Sequence, residues 1–307
     1  MTTLQLPSLQ PAQHPMSAIL PRTEYFEIDS AIAGVRYAVW VNTPMGYEKE
    51  TDHQYPAIFT VDGNMMAPCT MPYSVGLSQD PLHPIVPFVQ VMVGYCGDEV
   101  PDWGTVYRNR DLLPPGEPAS PRLMAMAEGL VKARGEIAES MKKFISSVRE
   151  GGRADNFLRF LAEELHPQIT ARWRIDTATT GLFGDSYGGL FAAWVAMQRH
   201  PLFTRIGAGS PGMMTEKSKV FDLLTREIES GADHSGRHLH MSIGELEITV
   251  PSIYQQVGCG FVRFVTTLGE TPLKGLTFTS AIIPNASHIT TILPNWLGFL
   301  RACYPAR

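Results

Sequence analysis

The sequence predicts an α/β fold: a mostly parallel sheet with antiparallel strands at its N-terminal side and helices on both faces. Three observations predict it. From residue 179 onward, short apolar strands alternate with helix-length segments, the pattern that builds a parallel sheet covered by helices. Before them, residues 55–61 (YPAIFTV) and 85–94 (IVPFVQVMVG) are continuously apolar, as strands buried on both faces must be. Earlier still, residues 25–29 and 35–42 (VRYAVWVN) are close enough in sequence to pair antiparallel, which makes the sheet mixed.

The elements follow in order. Residues 1–22 are rich in proline and polar side chains and read as an N-terminal extension; a single domain spans 23–307. The Pro- and Met-rich segment between the strands at 55–61 and 85–94 reads as loop. Residues 96–121 contain five prolines and read as a long loop. Residues 122–149 have helical composition interrupted at Gly129 and Gly135, so 96–150 is expected to be a loop or lid insertion. A helix at 156–165 carries Phe157, Phe160, Leu161 and Leu165 on one face and ends or kinks at Pro167. Strands are then expected at 179–183, 205–208, 239–243 and 276–283. Helices are expected at 187–198, 217–229, 253–268 and 290–304.

The 307 residues are 44% apolar and 18% charged, enough for one sizeable core. The net charge of −5 and the lack of a basic stripe argue against a nucleic-acid partner. No stretch approaches the roughly 18 apolar residues of a membrane helix. The N-terminus has neither a charged leader nor a continuous apolar run, so a cytoplasmic protein is expected. Cys69, Cys96, Cys259 and Cys303 lie far apart, which fits buried thiols in a reducing compartment rather than disulfides or a zinc site. The expectation is no cofactor and no metal; a homo-oligomer is left open.

The strongest chemical signal is Gly184-Asp185-Ser186-Tyr187-Gly188-Gly189, a G-x-S-x-G between a predicted strand and a predicted helix. A serine on that turn projects above the sheet, and flanking side chains would clash with the neighbouring strand and helix. The following helix aims its N-terminus at the site, where it favours developing negative charge. This context points to the α/β-hydrolase fold with Ser186 as nucleophile.

Such a serine needs a base, and in this fold the order is serine, acid, histidine. His200 sits at the far end of the helix after the serine. His234 lies in a polar loop, and His238 and His240 begin a strand, at the wrong end of the sheet. His288 follows the last strand through Pro284-Asn285-Ala286-Ser287 and is the predicted base. The acid should follow the strand at 239–243, where Gly244-Glu245-Leu246-Glu247 stands: Glu247 is preferred, Glu245 its rival and otherwise a substrate contact. The oxyanion hole should combine the Tyr187 N–H with that of Asn64 or Met65, after a close turn at Gly63. Gly63, Arg110 and Met213 are further candidates to touch substrate. The G-x-G-x-x-G match at 207–212 has no helix starting inside it and is not read as a dinucleotide site.

Taken together, these segments resemble a known family. The run YPAIFTVDGNM at 55–65, Arg110-Asp111-Leu112-Leu113-Pro114, the serine turn, Ser210-Pro211, the GELE at 244–247 and Ser287-His288 are similar in kind and order to the Putative esterase family. That family includes esterase D-like enzymes and siderophore esterases that open enterobactin-type trilactones, and the resemblance spans roughly residues 23–303. It implies Ser186, Glu247 and His288 as a catalytic triad and a metal-free hydrolysis of a small or medium organic ester, siderophores among them. One departure is Asp185, where many members carry histidine. Acyl transfer to an alcohol on the same fold, or a non-catalytic ligand-binding protein, are the alternative functions.

Overall fold

The structure, a computed structural model, describes residues 20–132 and 135–306. Most of the expected N-terminal extension therefore lies outside the described residues. Among the described residues, eight strands form one sheet in the order β1-β2-β4-β3-β5-β6-β7-β8. These are β1 (Thr23–Asp29), β2 (Arg36–Asn42), β3 (Tyr55–Thr60), β4 (Val89–Tyr95), β5 (Ile175–Asp185), β6 (Arg205–Gly209), β7 (His238–Gly244) and β8 (Thr277–Ile283). β1 pairs antiparallel with β2, from Thr23↔Asn42 to Asp29↔Arg36, and β2 antiparallel with β4. From β4 through β8 every pairing is parallel.

Both faces of the sheet are covered. β3 and β4 are buried along their whole length, which is why their sequences do not alternate. Successive side chains still part to opposite faces. Ile58, Met92 and Phe183 enter a cluster with Met66, Trp296 and Phe299. Phe59, Val91 and Leu182 enter the larger core with Phe157, Phe160, Leu190 and Phe191. The first layer holds α1 (Gly63–Leu77) and the C-terminal helix α11 (Ile292–Cys303). In it Phe183 and Phe299 stack at 5.6 Å between ring centroids. Each fully buried ring of this kind contributes on the order of 2 kcal/mol. A Cβ at Gly207 would lie 2.4 Å from the Phe299 ring, so alanine there would force this layer apart.

The opposite layer holds α5 (Ala154–Arg159), a wider turn over Phe160–Leu165, α6 (His166–Arg172), α7 (Tyr187–Gln198), α8 (Lys219–Ser230) and α10 (Gln255–Glu270). Pro167 does not end this first stretch, because it stands in the first turn of α6, where proline loses no bond it could have made. α9 (Glu245–Thr249) is a short helix directly after β7. Among the described residues no helix is long and apolar enough to cross a membrane.

The structure differs from the sequence reading in three places. The segment expected to be loop between β3 and β4 is helix α1 despite Pro68 and Pro72. Both prolines lie on its exposed face, where unmade backbone bonds meet water, while Met66, Ala67, Thr70 and Met71 bury against the sheet. The segment expected to be loop at 96–121 is helical from Gly97 to Leu112, ending in α2 (Arg108–Leu112). Of the four thiols expected to be buried, Cys69 and Cys259 are exposed; all four are free. Residues 122–149 do form two helices, α3 (Pro121–Val131) and α4 (Glu136–Glu150). Gly135 stands at the start of α4 with φ +81°.

Candidate active site

β5 ends at Asp185 and α7 begins at Tyr187, leaving Ser186 alone between them with φ +60° and ψ −118°. That conformation costs an ordinary residue about 1–3 kcal/mol and is held by its surroundings. Ser186 N donates to Gly209 O at 3.0 Å, and Ser186 O accepts from Leu190 N and Gly212 N at 2.9 Å. The motif's glycines are there for space: a Cβ on Gly184 would lie 2.2 Å from Gly188 O, and one on Gly189 2.2 Å from Gly209 O.

Ser186 Oγ lies 2.9 Å from His288 Nε2, and His288 Nδ1 lies 2.6 Å from Glu247 Oε2. Glu247 as a carboxylate only accepts, so the ring carries its proton on Nδ1 and leaves Nε2 to accept from the serine. Glu247 is 1% exposed, and its other oxygen accepts from Gly244 N at 3.0 Å and Ser210 Oγ at 2.7 Å. The loop carrying His288 docks on this turn: Leu246 N donates to Ala286 O, and a Cβ on Gly244 would lie 2.3 Å from that same oxygen. Glu245 does a different job; its Oε2 accepts from Asn285 N at 2.8 Å and braces the loop rather than meeting the histidine.

A cleft of about 340 Å³ opens above the serine. Ser186, His288, Arg108, Met65 and Tyr254 line it, together with Leu123 and Met126 of α3 and Phe144 of α4. Arg108 is bidentate to Asp62 at 2.6 and 2.8 Å and also reaches Asp185 O at 3.3 Å. Asp62, at φ +58°, makes the turn from β3 into α1, so one guanidinium ties that turn to the residue before the serine. The buried Asp185 carboxyl is pushed up to about 6 by burial, against the hydrogen bond from Asn295.

For the expected oxyanion donors, Tyr187 N–H belongs to the first turn of α7, where a helix offers no acceptor. Met65 N–H is committed to Asp62 O at 2.9 Å, which leaves Asn64 N–H as the better candidate. The Asn64 side chain is turned to the Tyr95 backbone, donating to its O and accepting from its N. The expected substrate contacts fall elsewhere. Gly63 packs against Val93 of β4, where a Cβ would lie 2.8 Å from a backbone carbon. Arg110 is engaged by Glu99 and Asp111, and Arg108 is the arginine that faces the cleft. Met213 is fully buried in the core, while Met214 lines the cleft.

Sequence reasoning missed the Arg108–Asp62 pair, Tyr254 on the histidine ring, and the contacts of Ser210 and Asn295. Asn295 did leave a signal: it is the one amide in the otherwise apolar run ILPNWLGFL.

The fold is that of the α/β-hydrolases, with a strained strand–serine–helix turn at the C-terminal ends of its parallel strands. Within that class, residues 127–247 match the family model described as Putative esterase. The chain is 32% identical over 104 residues to the ferri-bacillibactin esterase BesA of Bacillus subtilis (strain 168). That match covers 32% of this chain and 34% of the relative. It is 34% identical over 100 residues to the siderophore enterobactin esterase of Emericella nidulans, covering 31% and 33%. The matched segment thus spans about a third of either relative's length. In structure the chain is similar to the siderophore hydrolase EstB from Aspergillus nidulans, with a TM-score of 0.72 at 20% identity, over 96% of this chain and 98% of that one.

Proposed function

We propose that the chain is a serine carboxylic-ester hydrolase working through an acyl-enzyme. The observation that carries this is the chain of contacts from Ser186 Oγ through His288 to the buried Glu247, set on a strained turn at the floor of an apolar cleft. In this reading Ser186 Oγ attacks the ester carbonyl carbon while His288 Nε2 takes its proton. Glu247 holds the imidazole in the required tautomer and stabilises its cation. The N–H groups of Tyr187 and Asn64 receive the oxyanion. The ester C–O bond then breaks, His288 gives its proton to the departing alkoxide, and water deprotonated by His288 releases the acid from the serine.

Two features bear on the substrate. The relatives named above are siderophore esterases, and the cleft is lined mainly by apolar side chains, so the proposed substrate is an organic ester of siderophore type. The α3–α4 pair over the serine is the proposed lid. A cytoplasmic site is proposed on the two exposed free thiols, Cys69 and Cys259, which a reducing compartment preserves.

The experiment is labelling with a fluorophosphonate, read by intact mass, on the wild type and Ser186→Ala, followed by an ester panel. One adduct on the wild type, absent from the variant, is expected. A folded wild type that takes no adduct and turns over no reactive aryl ester would refute the proposal.

A further inference from the structure

Asp185 immediately precedes the serine, and its carboxylate is buried behind it. Oδ2 accepts from Asn295 Nδ2 at 2.7 Å. The same amide nitrogen reaches Ser210 Oγ at 3.2 Å, and Ser210 Oγ lies 2.7 Å from Glu247 Oε1. Thr291 Oγ1 stands 3.1 Å from Ser210 Oγ and donates to His288 O at 3.0 Å. Ser210, Thr291 and Asn295 are all 0% exposed, so water does not substitute for any partner.

Counting protons fixes the direction of this chain. An ionised carboxylate only accepts, so Asn295 must turn its NH₂ to Asp185, and the second amide proton falls to Ser210. Thr291 spends its only proton on His288 O. Ser210 then has one proton of its own, and the charged Glu247 is the strongest acceptor beside it. Ser210 is held for this at φ +37°, a conformation that strains any residue but glycine. Were Asn295 turned over, its Oδ1 would compete for that proton, and Glu247 would lose a donor on the side away from His288.

We propose that Asp185 is a positioning residue: it sets the polarity Asn295→Ser210→Glu247, so that Glu247 is pinned through Oε1 and presents Oε2 to His288. This rests on the esterase reading above, and it gives a task to the residue where the resembling family often carries histidine. The titratable groups around the Asp185 carboxyl are Arg108, His288 and Glu247. Above a pH of about 6 it is ionised and accepts only.

The test is the double exchange Asp185→Asn with Asn295→Asp. It keeps shape and net charge but reverses the polarity. The new carboxylate at 295 takes Ser210's proton from Glu247. The expected result is a folded protein whose kcat on a short aryl ester falls roughly 10- to 100-fold with KM within about twofold. Ser210→Ala should lose as much, and adding it to the exchange should lose little more. A folded exchange variant with wild-type kcat would overturn the proposal. Should the exchange not fold, Asp185→Asn and Ser210→Ala are combined; losses that multiply as independent effects would overturn it equally. A readout free of turnover is the far-downfield proton NMR signal of the short His288–Glu247 bond. It should move on the exchange and on Ser210→Ala, and an unmoved signal counts against the proposal. A wild type with that signal but no turnover and no fluorophosphonate adduct would instead count against the esterase reading alone.

Discussion

The Tyr254 ring lies flat on the His288 ring, with centroids 4.0 Å apart and planes 13° from parallel. Tyr254 stands just before α10 and is 37% exposed, so it shields one imidazole face from water while Nε2 stays open to Ser186. Such a stack contributes roughly 0.5–1.5 kcal/mol, and it favours the imidazolium further through the ring face. Tyr254→Ala is predicted to lower kcat about 5- to 10-fold, and Tyr254→Phe to stay within about twofold. Steady-state kinetics on one ester decides; equal losses would assign the effect to the hydroxyl instead of the stack.

The serine's own backbone makes a second prediction. Glycine occupies φ +60° freely, whereas alanine keeps the strain. Ser186→Gly and Ser186→Ala should both lose at least about 10³-fold in kcat. The glycine variant should nevertheless be the more stable of the two by roughly 1 kcal/mol, after allowing for its freer unfolded chain. Thermal melts of the pair check this; an alanine variant that melts higher would show that the turn is unstrained.

Arg108 and Asp62 form an ion pair with side chains only 16% and 3% exposed. Removing the cation strands a buried carboxylate, at a cost of about 3–5 kcal/mol. Arg108→Gln is therefore predicted to lower the urea midpoint strongly. Arg36→Gln, at the solvent-exposed pair with Asp29, should leave it unmoved. Arg108→Gln should also cut kcat, because the turn before Asn64 and the carbonyl of Asp185 lose their common tie.

Glu117 anchors the segment before α3 by accepting from Lys219 N at 2.8 Å. Burial pushes its carboxyl up from 4.5 to about 7, against that hydrogen bond. A folded value above the unfolded one means the acid form favours folding. The contribution is complete below about pH 4.5 and is lost as pH rises to about 7. Glu117→Gln should remove this dependence. Relative to the variant, the wild type should lose stability across that window and stay level above it. Urea melts at intervals from pH 4.5 to 8 test it, and a constant difference would show that Glu117 does not titrate there.

Much of the fold was legible because its signals are local. The bounds of α7 follow from the serine turn and its apolar run, and the parallel strands from their continuous apolar stretches. Helix α1 was not legible, because the rule that proline breaks helices counts only position along the chain, and Pro68 and Pro72 do stand inside the helix. That rule does not reveal that the two share an outward face. Which arginine lines the cleft was not legible for a similar reason: Arg108 and Arg110 are two residues apart and look alike, and only packing against Asp62 or Asp111 separates them.

The sequence by itself determined the class of fold, the serine on its turn, and the order in which an acid and a histidine follow strand ends, since strand alternation and glycine spacing are short-range properties of the chain. Only the tertiary structure decided which glutamate meets His288 and which braces its loop. It alone brought Asp185, Ser210 and Asn295 into one hydrogen-bonded set across 110 residues of sequence. Those choices depend on distances between strand ends and a returning helix, set by how the two layers pack on the sheet.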